Sequence, residues 1–332
     1  MVAPKPPDDD RLTAVRAALP ALEAGIYLNT GSVGPLPTES AAAMDELEAY
    51  ELRTGRAHID YWHETLQRMA EARAAVAAVL TADAADIAIT HSATDGMNIA
   101  AWSIDWHAGD RAITTSLEHP GGIGALYNLR DRFGVELAFI DVGPTRSEAE
   151  IIDAFDAAID ERTRLVAVSH VLWATGRVLP VAAIAELAHA RGAVLAIDGA
   201  QAAGAIPVDI AALGADLYAI SAQKWLLGPE GMGALAVAPR ARDRLAPSWG
   251  GHLTFETVDS RGIAVRWPDA RRFESSNFHR PSIVGMARSI GWLSMFVGLD
   301  WVYQRGAAMA ASAGGWGANG ERKTVQAPSG VT

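Results

Sequence analysis

Polar and reactive residues stand directly after a series of short apolar segments. IAIT at 87–90 is followed by HSATDGMN, AITTS at 112–116 by LEHPGG, and LYAIS at 217–221 by AQKWLLGPEG. LVAVSHV at 165–171 contains its own Ser-His pair, and AVLAID at 193–198 ends in an aspartate before GAQ. Open parallel sheets bind ligands at the carboxyl ends of their strands. If these segments are strands, they predict one site with a lysine, a buried acid, an aromatic ring and hydroxyl groups.

Lys224 is the candidate nucleophile of this site. It follows an apolar segment and precedes Trp225, Leu226 and Leu227. A partly apolar pocket lowers the pKa of an amine and exposes its lone pair. A lysine at a strand end can also simply extend its ammonium group into water. The choice between these two interpretations depends on what the neighbouring segments contribute.

Three residues could hold a pyridine ring beside that lysine. A carboxylate at the end of a buried strand, as at Asp198, is costly unless it meets a cation. A protonated pyridine nitrogen is such a cation, and the pairing keeps the ring an electron sink. A helix cap or a turn before Gly199 would explain the aspartate equally well. Gln201 could donate to a phenolic oxygen of the ring, and the face of His119 could stack on it, although a histidine before proline is more often structural.

Hydroxyl groups predict where a phosphate would lie. Free backbone N–H groups and hydroxyls favour a phosphate at the start of the helix predicted over 94–102, at Ser92, Ala93 and Thr94. Serine and threonine are also ordinary N-caps, so this signal alone is weak. Ser221 and Gln223, on alternate positions beside the lysine, could complete the phosphate site.

Together these residues resemble a known family. The order S-A-T, E-H, S-H-V, D-G-A-Q and S-x-x-K is similar to that of the class V aminotransferase group of fold type I pyridoxal phosphate enzymes, over roughly residues 25–300. The group includes cysteine desulfurases, selenocysteine lyase, isopenicillin N epimerase-like proteins and C–S lyases of the ergothioneine pathway. The resemblance implies that Lys224 carries pyridoxal 5'-phosphate as an internal aldimine and moves protons, that Asp198 pairs with the pyridine nitrogen, and that His119 stacks. It also implies phosphate contacts from Ala93, Thr94, Ser221 and Gln223.

Some positions depart from the pattern of the desulfurases. Trp173 stands where S-H-V-S-N of many desulfurases places an asparagine, and YLNTGSVGPLP at 27–37 resembles the epimerase-like and lyase-like members more closely. FESSN at 273–277 stands where relatives have a Gly-Thr pair that reaches the phosphate of the partner subunit. Ser276 and Asn277 are the matching positions, so the resemblance implies a homodimer with a shared active site.

The elements that must position these residues are strands and covering helices. ELAFID at 136–141 and ALAVA at 234–238 bring the number of apolar segments to seven. They are apolar along most of their length, as expected for strands that helices cover on both faces. We therefore expect an α/β fold, with a large cofactor-binding domain over residues 25–290 built on a seven-stranded, mostly parallel sheet.

Helical patterns surround and separate the predicted strands. Apolar residues recur at helical spacing over 37–53 and 60–80, before the first strand. Further patterns lie at 147–160 and 181–192, the second opened by a proline and closed by a glycine.

Both ends of the chain fall outside this domain. Residues 1–24 form a lead rich in proline and aspartate, and a helical pattern continues over 291–311. From Ser312 onward neither period is visible, so we expect an irregular tail, truncated or frame-shifted, and a largely missing small C-terminal domain. In the resembling family that domain supplies the arginine for the substrate carboxylate and, in desulfurases, the catalytic cysteine. The alternative to an active enzyme is therefore a cofactor-binding remnant that does not turn over substrate.

Composition narrows the classes of partner. The 332 residues carry a formal net charge of -11 and a pI of about 5.3, so no broad basic surface is available for nucleic acid or anionic lipid. There is no apolar run of spanning length, and we expect a cytoplasmic protein. The chain has no cysteine, which excludes disulfides and thiolate sites, and its nine histidines are too scattered to predict a metal site.

Nucleotide-binding folds with a similar sheet lack support in the sequence. No G-x-G-x-x-G follows the first strand, and GPEGMG at 228–233 comes too late and is typical of a turn. No glycine-rich loop ends in GK[ST]. We expect an amino acid as the small-molecule substrate, and the residues leave lyase, epimerase and aminotransferase chemistry open.

Overall fold

Strands and helices alternate along the chain from the first strand of the main sheet to the fifth. In this computed structural model residues 8–319 are described, and side chains over 10–311. Their strands, in chain order, are β1 Ile87–Thr90, β2 Arg111–Thr115, β3 Glu136–Ile140, β4 Thr163–Ser169, β5 Val194–Asp198, β6 Leu217–Ser221, β7 Gly233–Val237, β8 Phe255–Val258 and β9 Ala264–Arg266. The first seven form one sheet in the order β1-β7-β6-β5-β4-β2-β3. Only β7 runs antiparallel to its neighbours in this sheet, which confirms the predicted seven-stranded, mostly parallel arrangement.

Helices cover the sheet and extend beyond it. Their bounds are α1 Asp8–Ala17, α2 Thr38–Thr54, α3 Tyr61–Leu80, α4 Ala93–Trp102, α5 Pro120–Phe133, α6 Glu148–Ala158, α7 Val181–Ala190, α8 Pro239–Arg242, α9 Arg280–Gly291 and α10 Leu299–Asn319. α3 shows why these segments are helical: Met69, Ala72, Val76 and Leu80 recur at helical spacing and are buried. α7 is followed by Gly192 with a φ of 76°, a left-handed backbone that suits glycine and ends the helix.

The hydrophobic core has two main parts. One cluster contains buried residues of α3, α6, α7 and α9, and the other contains residues of α4 and α5. Residues of β5 and β6 alternate between the two clusters, since Leu195 belongs to the first and Ala196 to the second. All positions of β5, β6 and β7 are buried. Coverage on both faces therefore explains why these strands are apolar throughout.

The strand ends meet at one edge of the sheet. Ser169 of β4 lies opposite Asp198 of β5, and Asp198 lies opposite Ala219 of β6. The segments that follow these strands therefore emerge side by side. Register thus places the acid of β5 between the ends of β4 and β6.

A small hairpin was not predicted from the sequence. β8 and β9 pair in an antiparallel two-stranded sheet outside the main one. Their residues are mostly exposed. Without a buried face there is no alternation of apolar and polar residues for a sequence pattern to detect.

The C-terminal segment is helical for longer than predicted. After α9 a π-helical turn, Trp292–Val297, leads into α10. α10 runs to Asn319, so the prediction of an irregular tail from Ser312 is wrong for 312–319. The small residues there, alanine and glycine, give little hydrophobic period. Residues 320–332 lie outside the described part of the chain, as do residues 1–7 of the predicted lead.

Two helical segments near the end of the described residues are long and apolar when taken together. Within residues 8–319 no single helix is both long and apolar enough to cross a bilayer. Among these residues only the two segments Arg280–Val297 and Leu299–Ala311 together have such a length and composition, and they are bent by 80° relative to each other.

Candidate active site

Lys224 lies in the turn after β6 and is half-buried. Burial lowers the pKa of its amine, and the nearby charge of Asp198 opposes part of that effect. The chain has three lysines, and the other two, Lys5 and Lys323, lie outside the described residues. Among residues 8–319, Lys224 is therefore the sole primary amine on a side chain that can act as a nucleophile.

Asp198 ends β5 as a buried acid, with 7% of its surface exposed. Burial raises the pKa of its carboxyl group, while the charges of Lys224 and His119 act to lower it. Its Oδ1 accepts a 2.9 Å hydrogen bond from the amide of Ala200, and a Cβ on Gly122 would come within 2.9 Å of Oδ2. The lysine and the histidine are thus both close enough for their charges to act on this carboxyl group.

His119 caps the N-terminus of α5 and is exposed to solvent. Its Nδ1 accepts a 3.0 Å hydrogen bond from the amide of Gly121. The ring meets Trp173 edge-on, with centroids 5.5 Å apart and planes at 88°. A Cβ on Gly121 would collide with Thr94 Oγ1, so α5 and the start of α4 are in close contact. The imidazole is thus held by its hydrogen bond with Gly121 and by the contact with Trp173, and the two rings are not stacked face to face.

Hydroxyl groups gather at the start of α4. Ser92 caps the helix by accepting a 3.1 Å hydrogen bond from the amide of Asp95, and the amide of Ala93 donates to Ser221 Oγ at 2.9 Å. Within residues 10–311, the backbone N–H and the hydroxyl group of Thr94 have no hydrogen-bond partner, and the hydroxyl proton of Ser221 is also free to donate. These groups suit an anion at a helix N-terminus. Ala93 uses its own amide to join α4 to the end of β6.

Gln223 contributes a second polar group to this region. Its backbone carbonyl accepts a 2.6 Å hydrogen bond from the amide of Gly34. Its Oε1 is buried and has no partner among the described residues. Because the two ends of a side-chain amide exchange places on a flip, the same position suits an NH2 group that donates to an anion.

Gln201 makes contacts that the sequence did not predict. Its Nε2 donates to the carbonyl of Gly31 at 2.8 Å, and its Oε1 accepts from Trp225 Nε1 at 2.8 Å. The side chain therefore connects the N-terminal segment to the residue that follows Lys224. The predicted donation to a cofactor oxygen stays a prediction.

Ser276 and Asn277 lie apart from these residues. Both are exposed, and Asn277 Oδ1 is 3.0 Å from Nε2 of His252. The hydrogen bonds of the described residues do not join them to Lys224. Their predicted contact is to the phosphate of a partner subunit and stays a prediction.

Two buried polar groups beside the site had no assigned role in the sequence. Glu118 accepts hydrogen bonds from Thr115 and Ser169, and burial raises the pKa of its carboxyl group. Nδ1 of His170 is 2.8 Å from the hydroxyl of Tyr218, and burial lowers the pKa of this histidine to about 4. Glu118 belongs to the E-H motif of the sequence and His170 to the S-H-V motif. Only the structure shows that both side chains are buried, which marks them as candidate functional groups.

A cavity of about 750 Å³ lies elsewhere, between α3 and the β8–β9 hairpin. Trp62, Arg73, His252, Trp267 and Glu274 are among its lining residues. None of the predicted site residues lines it. The chemistry therefore places the candidate active site at the sheet edge and not at this cavity.

The residues at the sheet edge fit pyridoxal 5'-phosphate. The group needs an amine with a lowered pKa, an acid for its ring nitrogen, an aromatic face and donors for its phosphate. The amine is that of Lys224, and the acid is Asp198. His119 offers the aromatic face, and Thr94 offers donors for the phosphate. The end of the Gln223 side-chain amide that is buried without a partner is also available to a bound group.

Comparison with known proteins agrees with this fit. Fold and site define a pyridoxal phosphate-dependent enzyme of fold type I. Residues 26–315 match the family Aminotransferase class-V, and the chain belongs to that family.

Relatives and solved structures of this family include several kinds of enzyme. A probable cysteine desulfurase of Methanothermobacter thermautotrophicus is 30% identical over 302 residues, 90% of this chain and 74% of that protein. Isopenicillin N epimerase of Streptomyces clavuligerus is 32% identical over 67% of this chain and 56% of its own length. The cystine C–S lyase C-DES in complex with cysteine persulfide aligns with a TM-score of 0.81 at 31% identity, covering 86% of this chain and 76% of that structure.

A second structure of C-DES carries a substitution of one of its own lysines. In it a lysine is replaced by alanine and glycine is covalently linked to the PLP cofactor, and it aligns with a TM-score of 0.81 at 30% identity. It covers 87% of this chain and 76% of its own. The present chain is thus similar to cysteine desulfurases and to a C–S lyase over about three quarters of their length.

Proposed function

We propose that this chain is a pyridoxal phosphate-dependent C–S lyase that acts on a sulfur-containing amino acid, with Lys224 as the lysine that binds the cofactor. The observation that carries the proposal is that this half-buried amine and the buried carboxyl of Asp198 lie at one sheet edge, close enough for each charge to act on the other. The similarity to a cystine C–S lyase and to cysteine desulfurases supports the choice of a C–S bond.

Each residue has a role that follows from its position. Asp198 would hold the proton on the pyridine nitrogen, because a buried carboxylate is stabilised by a cation. Thr94, Ser221 and Gln223 would bind the phosphate, and the His119 ring would cover one face of the cofactor and exclude water. When bound, the cofactor supplies an electron sink for the electron pair released at the α-carbon of the substrate.

Lys224 would also move the proton of the reaction. A lowered pKa leaves more of its Nζ uncharged near neutral pH, and only an uncharged amine can take a proton from the α-carbon. Loss of that proton makes a sulfur substituent on the β-carbon a leaving group. The exposed loop at Ser276 and Asn277 supports a homodimer in which these residues reach the phosphate of the partner subunit.

Borohydride trapping tests the cofactor lysine. The protein is mixed with pyridoxal phosphate, reduced and digested, and the label is located by mass spectrometry. We expect it on Lys224 and not on Lys5 or Lys323, which serve as internal controls in the same chain. A label spread over all three lysines, or none, would overturn the assignment.

The reaction is tested on amino acids directly. We expect the wild type to release a persulfide from cystine or sulfide from cysteine, and the Lys224→Ala variant to release neither. Exchange of the α-proton in deuterated water provides a second readout. Labelled Lys224 without sulfur release or exchange on any amino acid would favour a cofactor-binding remnant, and inversion at the α-carbon without sulfur release would favour an epimerase.

A further inference from the structure

Glu118 is a buried acid with 8% of its surface exposed, one residue before His119. Its Oε1 accepts hydrogen bonds from Thr115 Oγ1 at 2.8 Å and from the amide of Ser169 at 3.0 Å. Its Oε2 is also 3.0 Å from that amide and accepts a short hydrogen bond from Ser169 Oγ. Three donor groups thus converge on one carboxyl group.

These donors belong to two different strands. Thr115 is the last residue of β2 and Ser169 the last residue of β4, and the two strands are neighbours in the sheet. Ser169 in turn lies opposite Asp198 on β5. The carboxyl group of Glu118 therefore attaches the loop at 116–119 to the strand ends that surround the proposed cofactor site.

The loop has only one residue between Glu118 and α5, and that residue is His119. Its imidazole accepts a hydrogen bond from the amide of Gly121 and lies against Trp173, with the two ring planes perpendicular. Because a side chain follows the position of its backbone, an attachment at Glu118 limits where the His119 ring can lie. His119 is exposed to solvent, so packing alone does not set this position.

We propose that Glu118 is a positioning residue, which holds the His119 ring in the plane needed for stacking on the cofactor. The inference rests on the proposed function, because it takes His119 as the stacking residue. Glu118 itself touches neither substrate nor cofactor in this proposal. Burial, and to a smaller extent the nearby carboxyl of Asp198, raises the pKa of Glu118, while the hydrogen bonds from Ser169 and Thr115 act to lower it.

Two substitutions at Glu118 test whether its hydrogen bonds hold the loop in place, because one keeps these bonds and the other removes them. In Glu118→Gln the remaining Oε1 can still accept from Thr115 and from the Ser169 amide, and the new NH2 group can donate to Ser169 Oγ. Glu118→Ala removes all of these contacts. Thr115→Val, which removes one donor, is a milder variant in case Glu118→Ala does not fold.

Asp216→Asn provides the matched control. Asp216 is also a buried acid with three partners, His189, Leu195 and Arg240, but it stands immediately before β6, at the opposite end of that strand from Lys224. A general loss of stability would affect this variant as well. A loss confined to the cofactor site would not.

The first readout is the circular dichroism that the protein induces in bound pyridoxal phosphate, measured with the apparent Kd. For Glu118→Ala we expect a weaker signal per bound cofactor and a Kd raised about tenfold, the size of effect expected when the stacking of one aromatic ring is lost. Thr115→Val should change in the same direction by less. Glu118→Gln and Asp216→Asn should keep the wild-type signal and bind within about twofold of wild type.

The second readout needs no cofactor. Hydrogen–deuterium exchange of the protein alone should become faster over residues 116–122 in Glu118→Ala and stay slow in Glu118→Gln. Unchanged dichroism and exchange in Glu118→Ala would overturn the inference, and so would an equal loss of signal in Asp216→Asn. A wild-type protein that is not labelled at Lys224 would instead overturn the proposed function, so the two failures are distinguishable.

Discussion

Trp225 donates a 2.8 Å hydrogen bond to Gln201, whose amide group donates in turn to the carbonyl of Gly31. The residue next to the candidate cofactor lysine is thereby joined to the N-terminal segment. A second contact in the same place, from the amide of Gly34 to the carbonyl of Gln223, strengthens the connection. The N-terminal segment is thus part of the structure that positions Lys224, although it lies almost 200 residues away in the chain.

Removal of the indole N–H should loosen this connection. Trp225→Phe keeps an aromatic ring but leaves Oε1 of Gln201 without its donor, which should lower the free energy of unfolding by about 1 kcal/mol. Urea denaturation measures the change. Trp249→Phe is the control, because its indole N–H has no hydrogen-bond partner among the described residues. Equal losses in the two variants would contradict the role of this hydrogen bond.

Two glycines of α5 should respond in opposite ways to alanine. A Cβ at Gly122 would come within 2.9 Å of Oδ2 of Asp198, whereas a Cβ at Gly124 would meet nothing within 4 Å. We expect Gly122→Ala to displace the carboxyl group and weaken cofactor binding. Gly124→Ala should instead stabilise the helix by up to about 1 kcal/mol and leave binding unchanged. Cofactor titration and thermal unfolding measure both, and unimpaired binding by Gly122→Ala would contradict a close packing at Asp198.

The reactivity of Lys224 should depend on Asp198. An amine reacts when uncharged, above its pKa, and burial lowers the pKa of Lys224 from the usual 10.5 while Asp198 raises it. The wild-type lysine should therefore react at lower pH than a free lysine side chain. In Asp198→Asn the opposing charge is gone, so half-maximal reactivity should shift to still lower pH.

Competitive acetylation of the protein without cofactor, followed by mass spectrometry of the Lys224 peptide, gives this pH profile. Nα-acetyl-lysine amide in the same mixture is the reference for an ordinary amine. A shift to higher pH in Asp198→Asn would contradict the electrostatic coupling of the two groups.

His170 should make the folded state sensitive to acid. Burial lowers its pKa to about 4 in the folded protein, against 6.5 when exposed. Between these values the unfolded chain binds a proton that the folded one does not, so stability falls as pH falls through this window. His170 alone should account for a loss of about 3 kcal/mol between pH 7 and pH 4.

The variant His170→Asn isolates this effect. Its amide keeps a polar group near the hydroxyl of Tyr218 but does not titrate. Urea denaturation at pH 7, 5.5 and 4 should show a smaller loss for the variant than for the wild type. Parallel pH profiles would mean that His170 is not responsible for the acid sensitivity.

Much of the fold was predictable because its signals are local. β1 and β6 begin and end at the predicted residues, since each is a short apolar run bounded by polar residues. The β8–β9 hairpin was missed because its exposed residues carry no such contrast. The helical residues 312–319 were missed because alanine and glycine show little hydrophobic period.

By itself the sequence determined the sheet, the sheet edge and the residue types that meet there, Lys224, Asp198 and His119 among them. Only the tertiary structure decided what these side chains contact. Gln201 bonds to Gly31 and Trp225, and Glu118 bonds to Thr115 and Ser169. Such partners come from distant segments, and their choice depends on strand order, register and burial, which no local pattern of residues contains.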